Sequence, residues 1–342
     1  MFRKGNFKKN TKAFGELLST LNIDTVSPEI YCKKYLSYLL EHKQYFLEIY
    51  ADVLQKLVKH SLKNKEEISL IDFGAGNGLL GIFAKYCGFK KVYINDIDKA
   101  FVDSAKALAI QLNIDIDGFI YGDTTALTNY FKNEKPDGIV GTDVIEHIYD
   151  LDVFFTTLKK LNPLIVSIFT TASNPNNFFK IRRLKKLQWK DEYFGGKPEE
   201  SELFGATAHK AYLKIREDII RDHFTLADET IKSLAIATRG LIQQDIIKVT
   251  SKSLIRGDLP QPLTHPTNTC NPLTGSWTER ILTINEYTKI YKNAGFKLCL
   301  YEGFYDEHKS NAKGLINSLL NVGIKILGKN LAPYIILTGT KV

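Results

Sequence analysis

The chain has 342 residues, 44% hydrophobic and 25% charged, with a formal net charge of +8; this excludes a disordered or fibrous polymer and describes a globular protein of one large domain with extensions, or two domains. Its four cysteines (Cys32, Cys87, Cys270 and Cys299) lack CxxC spacing, which argues against a disulfide framework or a zinc site and for a reducing cytoplasm. No apolar stretch approaches a membrane span, the basic N-terminus lacks the apolar core of a secretory signal, and the positive charge favours anionic partners without choosing among phosphate esters, nucleic acid and a membrane surface.

Residues 1–67 read as helical, because Tyr35, Leu36, Leu39, Leu40, Phe46, Leu47, Tyr50, Val53, Leu54 and Leu57 recur near helical spacing. Strand and helix then alternate. Strands are expected at 68–74, 91–96, 117–123, 136–144 and 164–170, with helices around 79–87, 101–112 and 154–161 between them. Short apolar strands separated by helices predict an α/β fold, a doubly wound and mostly parallel Rossmann-like sheet. The alternation stops at 171–282. That stretch offers a basic helix (178–190), with Phe178, Ile181 and Leu184 on one side, a polar-apolar helical stretch (206–250) and a Pro/Thr/Asn-rich loop (257–280). Helix 283–296, strand 297–304, a helical insert around 310–328 and strand 332–341 complete the sheet. The expected organisation is an N-terminal helical cap (1–65), a core (66–170), a helical insertion serving as substrate lid (171–282) and the end of the core (283–342).

The first strand runs into "IDFGAGNGLLG", with Gly74, Gly76 and Gly78 at alternate positions. Strand, glycine turn and helix open a nucleotide-binding unit. Asp72 argues against a dinucleotide, since a carboxylate beside a pyrophosphate is repulsive, and Gly74-Ala75 ahead of the G-x-G-x-x-G match make its placement awkward for one. S-adenosylmethionine (SAM) has an ammonium and a sulfonium and no phosphate, so an acid at that strand end can accept from its ammonium. Asp96 ends the second strand, where a carboxylate can take two ribose hydroxyls. Asp123 ends the third, where it can accept from the adenine amino group. Each could instead cap the helix that follows it, and Asp98 is the better cap beside Asp96.

"IDFGAGNG", "VYINDIDKAFVDSAK", "YGDTTAL" and "TDVIEHIYD", in that order, resemble the motifs of class I, Rossmann-fold SAM-dependent methyltransferases, in particular the small-molecule branch of the quinone-biosynthesis type. The resemblance covers residues 66–170 well and 283–341 loosely. It implies cofactor contacts from Asp72, Gly74, Gly76, Gly78, Asp96, Ile97, Asp123, Thr124 and Asp143, with S-adenosyl-L-homocysteine as product and no metal. It directs attention to Glu146 and His147 as catalytic candidates on the strand-four loop, His147 as base for a hydroxyl acceptor. A structural role for that pair is the competing reading, with His209 and His223 of the insertion as other bases.

The expected activity is methyl transfer to oxygen or nitrogen of a small, anionic or lipid-linked metabolite, such as a surface-glycan sugar or a natural-product intermediate. The basic helix could hold such an acceptor or touch an anionic membrane, and the Leu/Lys mixture at 313–330 adds to the membrane reading. "WTER" (277–280) suits either a mobile cover or a fixed crossing segment. Against nucleic acid, the Asn/Asp-Pro-Pro-aromatic signature is absent after strand four, and "NPNNFF" follows strand five with a single proline. The alternatives are a methyltransferase of RNA or other nucleic acid and a SAM-binding interaction protein without catalysis.

Overall fold

The computed structural model describes residues 7–196, 209–308 and 312–341. The expected helical stretches also reach into 1–6, 206–208 and 310–311, which lie outside the described residues. The chain divides into two compact units. One is Met1–Ile145, Leu151–Ala172 and Ile284–Val342; the other is Glu146–Asp150 with Ser173–Thr283.

The first unit carries a seven-stranded sheet: β1 (Ser69–Phe73), β2 (Lys91–Asp96), β3 (Gly118–Tyr121), β4 (Gly138–Thr142), β5 (Val166–Thr171), β6 (Phe296–Glu302) and β7 (Ile335–Lys341). The spatial order is β3-β2-β1-β4-β5-β7-β6. Pairing is parallel from β3 through β5, while β7 runs antiparallel to both β5 and β6. This is the α/β, mostly parallel Rossmann-like fold that the alternation of apolar runs predicts. The chain winds from β1 outward to β3, then returns to β4 on the other side of β1. Ligands of such sheets sit where the winding reverses, at the carboxyl ends of the strands.

The N-terminal helices share the sheet's hydrophobic core. These are α1 (Phe7–Leu18), α2 (Ile30–Glu41) and α3 (Lys43–His60). On α3 the spacing of Leu47, Tyr50, Val53, Leu54 and Leu57 buries one stripe of the helix. A Cβ at Gly138 would come within 2.6 Å of the Leu57 side chain, so β4 stays bare there to admit the helix. Helices α4 (Leu79–Tyr86), α5 (Lys99–Gln111), α6 (Thr124–Tyr130) and α7 (Leu151–Leu161) link the parallel strands.

The second unit contains α8 (Phe178–Tyr193), α9 (Tyr212–His223), α10 (Asp228–Ala237) and α11 (Gln243–Arg256). The stretch that reads as one long helical run is thus three helices. Phe224 turns extended after α9, and Gly240 takes a left-handed φ of 77° after α10. Their core is aliphatic: Ile219, Ile220, Ile231, Leu234 and Ile246. Beside it lies a buried ion network. Glu192 accepts from the guanidinium of Arg216, from Arg239 and from Thr269 Oγ1, and Arg216 also donates Nε–H to the Ala235 carbonyl at 2.7 Å. The chain then re-enters the first unit as α12 (Ile284–Asn293), β6, α13 (Ala312–Leu327) and β7.

Candidate functional site

Every residue assigned to the cofactor from the sequence lies at the carboxyl end of a parallel strand of the first unit, where the sheet brings β1 to β4 side by side. Gly74, Gly76 and Gly78 all take left-handed backbone, with φ of 62°, 54° and 75°. Close packing restricts them further. A Cβ would meet Val144 at 2.3 Å from Gly74, the Tyr35 ring at 2.9 Å from Gly76, and Ala105 at 2.7 Å from Gly78. Both reasons for glycine, conformation and approach, apply together.

Asp96 organises this turn. Its Oδ2 accepts from the Gly76 N–H at 2.8 Å and its Oδ1 from the Asp98 N–H at 2.9 Å. The carboxyl is pushed up from its ordinary range, first by burial, with the backbone donors working in the opposite direction. Asp98, not Asp96, caps α5, and it also accepts from the Tyr31 hydroxyl at 2.7 Å. Ile97 between them stands 72% exposed, an apolar surface at the strand end. Asp123 does cap α6, accepting from Thr125 N–H at 2.8 Å, yet its side chain stays exposed beside Thr124. Asp143, also exposed, follows β4 with φ of 50°, a conformation that non-glycine residues seldom adopt.

Asp72 is buried beneath the glycine turn and accepts from the Gly81 N–H at 2.7 Å, holding the first turn of α4 against β1. Burial pushes its carboxyl up to about 7; the Gly81 bond opposes that, and Asp96 adds to it. A positive ligand above the turn would return the carboxyl toward its charged form.

Sequence reasoning counted Tyr35 only as a core position. In the structure its ring covers Gly76, and its phenol is raised by burial and then by the carboxylates of Asp143, Asp96 and Asp72. Asn77, in the glycine turn, donates to the Cys32 carbonyl of α2, so the helix is tied to the turn. The signal was present: tyrosines at 31, 35 and 38 form a hydroxyl-bearing stripe on α2. Asn95 was also missed. It donates to the Ile120 and Gly122 carbonyls, joining the ends of β2 and β3.

Glu146 and His147 belong to the second unit, three and four positions after Asp143 in the chain. His147 donates Nδ1–H to the Trp277 carbonyl at 2.7 Å, and Trp277 N–H donates back to the His147 carbonyl. The neutral ring therefore offers Nε2 as an acceptor. Glu146 is buried, and its carbonyl receives the Arg280 N–H. Trp277 is buried as well and donates Nε1–H to the Tyr149 carbonyl at 3.1 Å. "WTER" is thus a fixed segment pinned to the 146–150 turn. His223 Nδ1 is engaged by the Ile219 carbonyl in the last turn of α9, and His209 stacks on Tyr212.

The strand-end turns 72–78, 95–97, 122–124 and 142–144 contain Asp72, Asp96, Asp123 and Asp143 and no lysine or arginine, on a chain of net charge +8. Such a set suits a ligand rich in donors and positive charge, and repels phosphate. The donors of SAM (ribose hydroxyls, an adenine amine and an ammonium) match these acceptors. Among the described residues no group of three or more His, Cys, Asp and Glu is arranged to hold a metal ion.

Residues 40–203 match a family described as a methyltransferase domain. The chain is 36% identical over 107 residues to a ribosomal protein L11 methyltransferase of Acinetobacter baumannii, covering 31% of this chain and 34% of that protein. It is 35% identical over 104 residues to a ubiquinone biosynthesis O-methyltransferase of Bartonella tribocorum, covering 30% of this chain and 40% of the relative. The chain spans about a third of the length of the curated relatives it matches. A SAM-dependent methyltransferase from Archaeoglobus fulgidus superposes with a TM-score of 0.40 at 12% identity, over 90% of this chain and 99% of that one.

Proposed function

We infer that this chain, built on a class I, SAM-dependent methyltransferase domain, moves a methyl group to oxygen or nitrogen of a small, anionic or lipid-linked metabolite. The observation that carries the reading is the strand-end set of four acids without a basic residue. SAM, when bound, supplies an electrophilic methyl on a sulfonium. The chain's own residues bind and orient. Asp96 has acceptor capacity for the ribose hydroxyls beyond its two backbone donors. Asp123 and Thr124 flank the adenine position, and Ile97 offers the apolar surface on which the base rests. Asp72 acts from beneath the turn through its charge, while Asp143 and Tyr35 line the methyl-donor side.

Methyl transfer needs alignment and exclusion of water more than it needs proton chemistry. A hydroxyl acceptor must nevertheless lose its proton. We assign that proton to Nε2 of His147, whose ring is oriented by the Trp277 carbonyl. The exposed side of α8 carries Arg182, Arg183, Lys185 and Lys186, while Leu184, Gln188 and Glu192 point inward. Phe178, expected beside Ile181 and Leu184, is 67% exposed. The cationic side is proposed as the hold on an anionic acceptor. Oxygen as the acceptor atom agrees with the name of the Bartonella relative. The free cysteines fit a reducing cytoplasm.

The test is a melting experiment with SAM, S-adenosylhomocysteine and NAD. The first two, at about a hundredfold over their dissociation constants, should stabilise the fold by about 2.7 kcal/mol. Stabilisation by NAD and none by SAM would overturn the reading. For a hydroxyl acceptor, His147→Ala should lower kcat by about 10²–10⁴ with SAM affinity unchanged. Near-normal kcat in the folded variant would remove His147 as base.

A further inference from the structure

Helix α13 is amphipathic and turns its apolar stripe outward. Its less exposed side mixes Gly314, Asn317 and Asn321 with the half-buried Leu320 and Ile324. Gly314 is buried, Asn317 donates to the Asp306 carbonyl at 2.6 Å, and Asn321 accepts from Tyr305 N–H at 2.7 Å while donating to the Tyr305 carbonyl at 3.0 Å. Its outward side is apolar. Leu315, Leu319, Val322 and Ile326 stand at i, i+4, i+7 and i+11, one stripe of a helix with about 3.6 residues per turn. Ile316 and Leu327 widen that stripe, and all six side chains are more than half exposed. Part of the helix's edge, at Ser318, Asn321, Val322 and Lys325, borders a groove of about 940 Å³ whose other walls mix Glu48, Asp52 and Glu302 with Phe7, Ala51 and Phe304. The bonds of Asn317 and Asn321 to the 305–306 segment fix which side of the helix faces outward.

Exposed apolar area of this extent on one element is the mark of a contact surface. The charge selects the partner. The stretch 312–331 contains Lys313, Lys325 and Lys329 and no acid. A symmetric contact between two copies would set this patch against itself and bring like charges together. A bilayer with anionic headgroups offers the complement to both features, hydrocarbon for the stripe and negative charge for the flanking lysines. Among the described residues no helix is long and apolar enough to cross a membrane, which leaves the surface as the place for this one. We propose that α13 lies in the interface of an anionic membrane, with Leu315, Leu319, Val322 and Ile326 among the acyl chains and the asparagine side fastened to the 305–307 segment.

The proposal is independent of methyl transfer and is tested without it. Full-length protein is mixed with vesicles of phosphatidylcholine alone or with an equal part of phosphatidylglycerol, and the bound fraction is read by flotation. Binding is expected to the phosphatidylglycerol vesicles. A Leu319→Glu/Ile326→Glu variant, altered only at exposed positions, should bind at least tenfold more weakly and keep the wild-type melting temperature and SAM-induced stabilisation. Failure of the wild type to float, or equal flotation of the variant, overturns the proposal. So does a lipid-free dimer of the wild type that the same variant converts to monomer, which would make this face an interface between copies. Because SAM stabilisation is read on the same samples, loss of docking and loss of the cofactor reading remain separate results.

Discussion

Buried or nearly buried acids serve opposite ends in the two units. Glu192, in the second unit, is 1% exposed and is matched by two guanidinium groups, those of Arg216 and Arg239, with Thr269 as a further donor. Asp72 and Asp96, in the first, are held by backbone N–H groups alone, and their carboxyls are raised by burial. Cations complete the first arrangement, and backbone dipoles only partly offset burial in the second. The difference agrees with the roles proposed for these acids. Glu192 joins α8 to α9 and needs nothing further. Asp72 and Asp96 keep capacity for donors and positive charge, which a SAM-like ligand would bring.

The contrast is broken most forcefully at the ion network. Arg216→Ala would leave Glu192 buried with only part of its compensation, and is expected to destabilise the second unit by about 3–5 kcal/mol. Proteolysis of the helical insertion and thermal denaturation would measure this, while stabilisation by SAM should survive. A loss below 1 kcal/mol would show that Arg239 suffices and that the network is not what holds these helices.

Asp96→Ala removes the acceptor proposed for the ribose. Calorimetric titration with S-adenosylhomocysteine should show affinity reduced by about 1.5–3 kcal/mol, the usual worth of hydrogen bonds to a charged group. Unchanged affinity would make Asp96 a purely structural tie between Gly76 and β2.

The smallest expected effect is the most specific. Asp72 has a folded-state pKa of about 7, above that of an unfolded aspartate. Its ionisation therefore opposes folding; the penalty is absent below the unfolded value and fully developed above the folded one. Asp72→Asn keeps the acceptor for Gly81 and should stabilise the ligand-free protein at pH 8 by about 1–2 kcal/mol, with little gain at pH 4. If the charge attracts a cationic ligand, the same variant should bind SAM more weakly than wild type at pH 8. The two should converge at pH 6, where the wild-type carboxyl is mostly protonated. A constant ratio across that range would show that Asp72 only supports the turn.

Sequence alone determined the first unit's scaffold. β2 stands at the expected residues, and the other strands lie within a few residues of the apolar runs that announce them. A strand's period and a glycine's φ are set by a few neighbours, so both can be read locally. The acids at 72, 96, 123 and 143 were legible as a charge pattern for the same reason. Asp98 as the cap of α5 was legible too, since it accepts from an N–H two residues on. Only tertiary structure decided that Tyr35 covers Gly76 and that "WTER" is pinned to the turn bearing His147. These depend on partners tens of residues or more away in the chain. Helix α13 shows the limit most plainly. Its sequence separates an apolar stripe from a side that carries Asn317 and Asn321, but periodicity carries no sign: it separates the two without saying which one turns inward. The carbonyls of Tyr305 and Asp306 decided that, because they took Asn317 and Asn321 and left Leu315 and Leu319 outside.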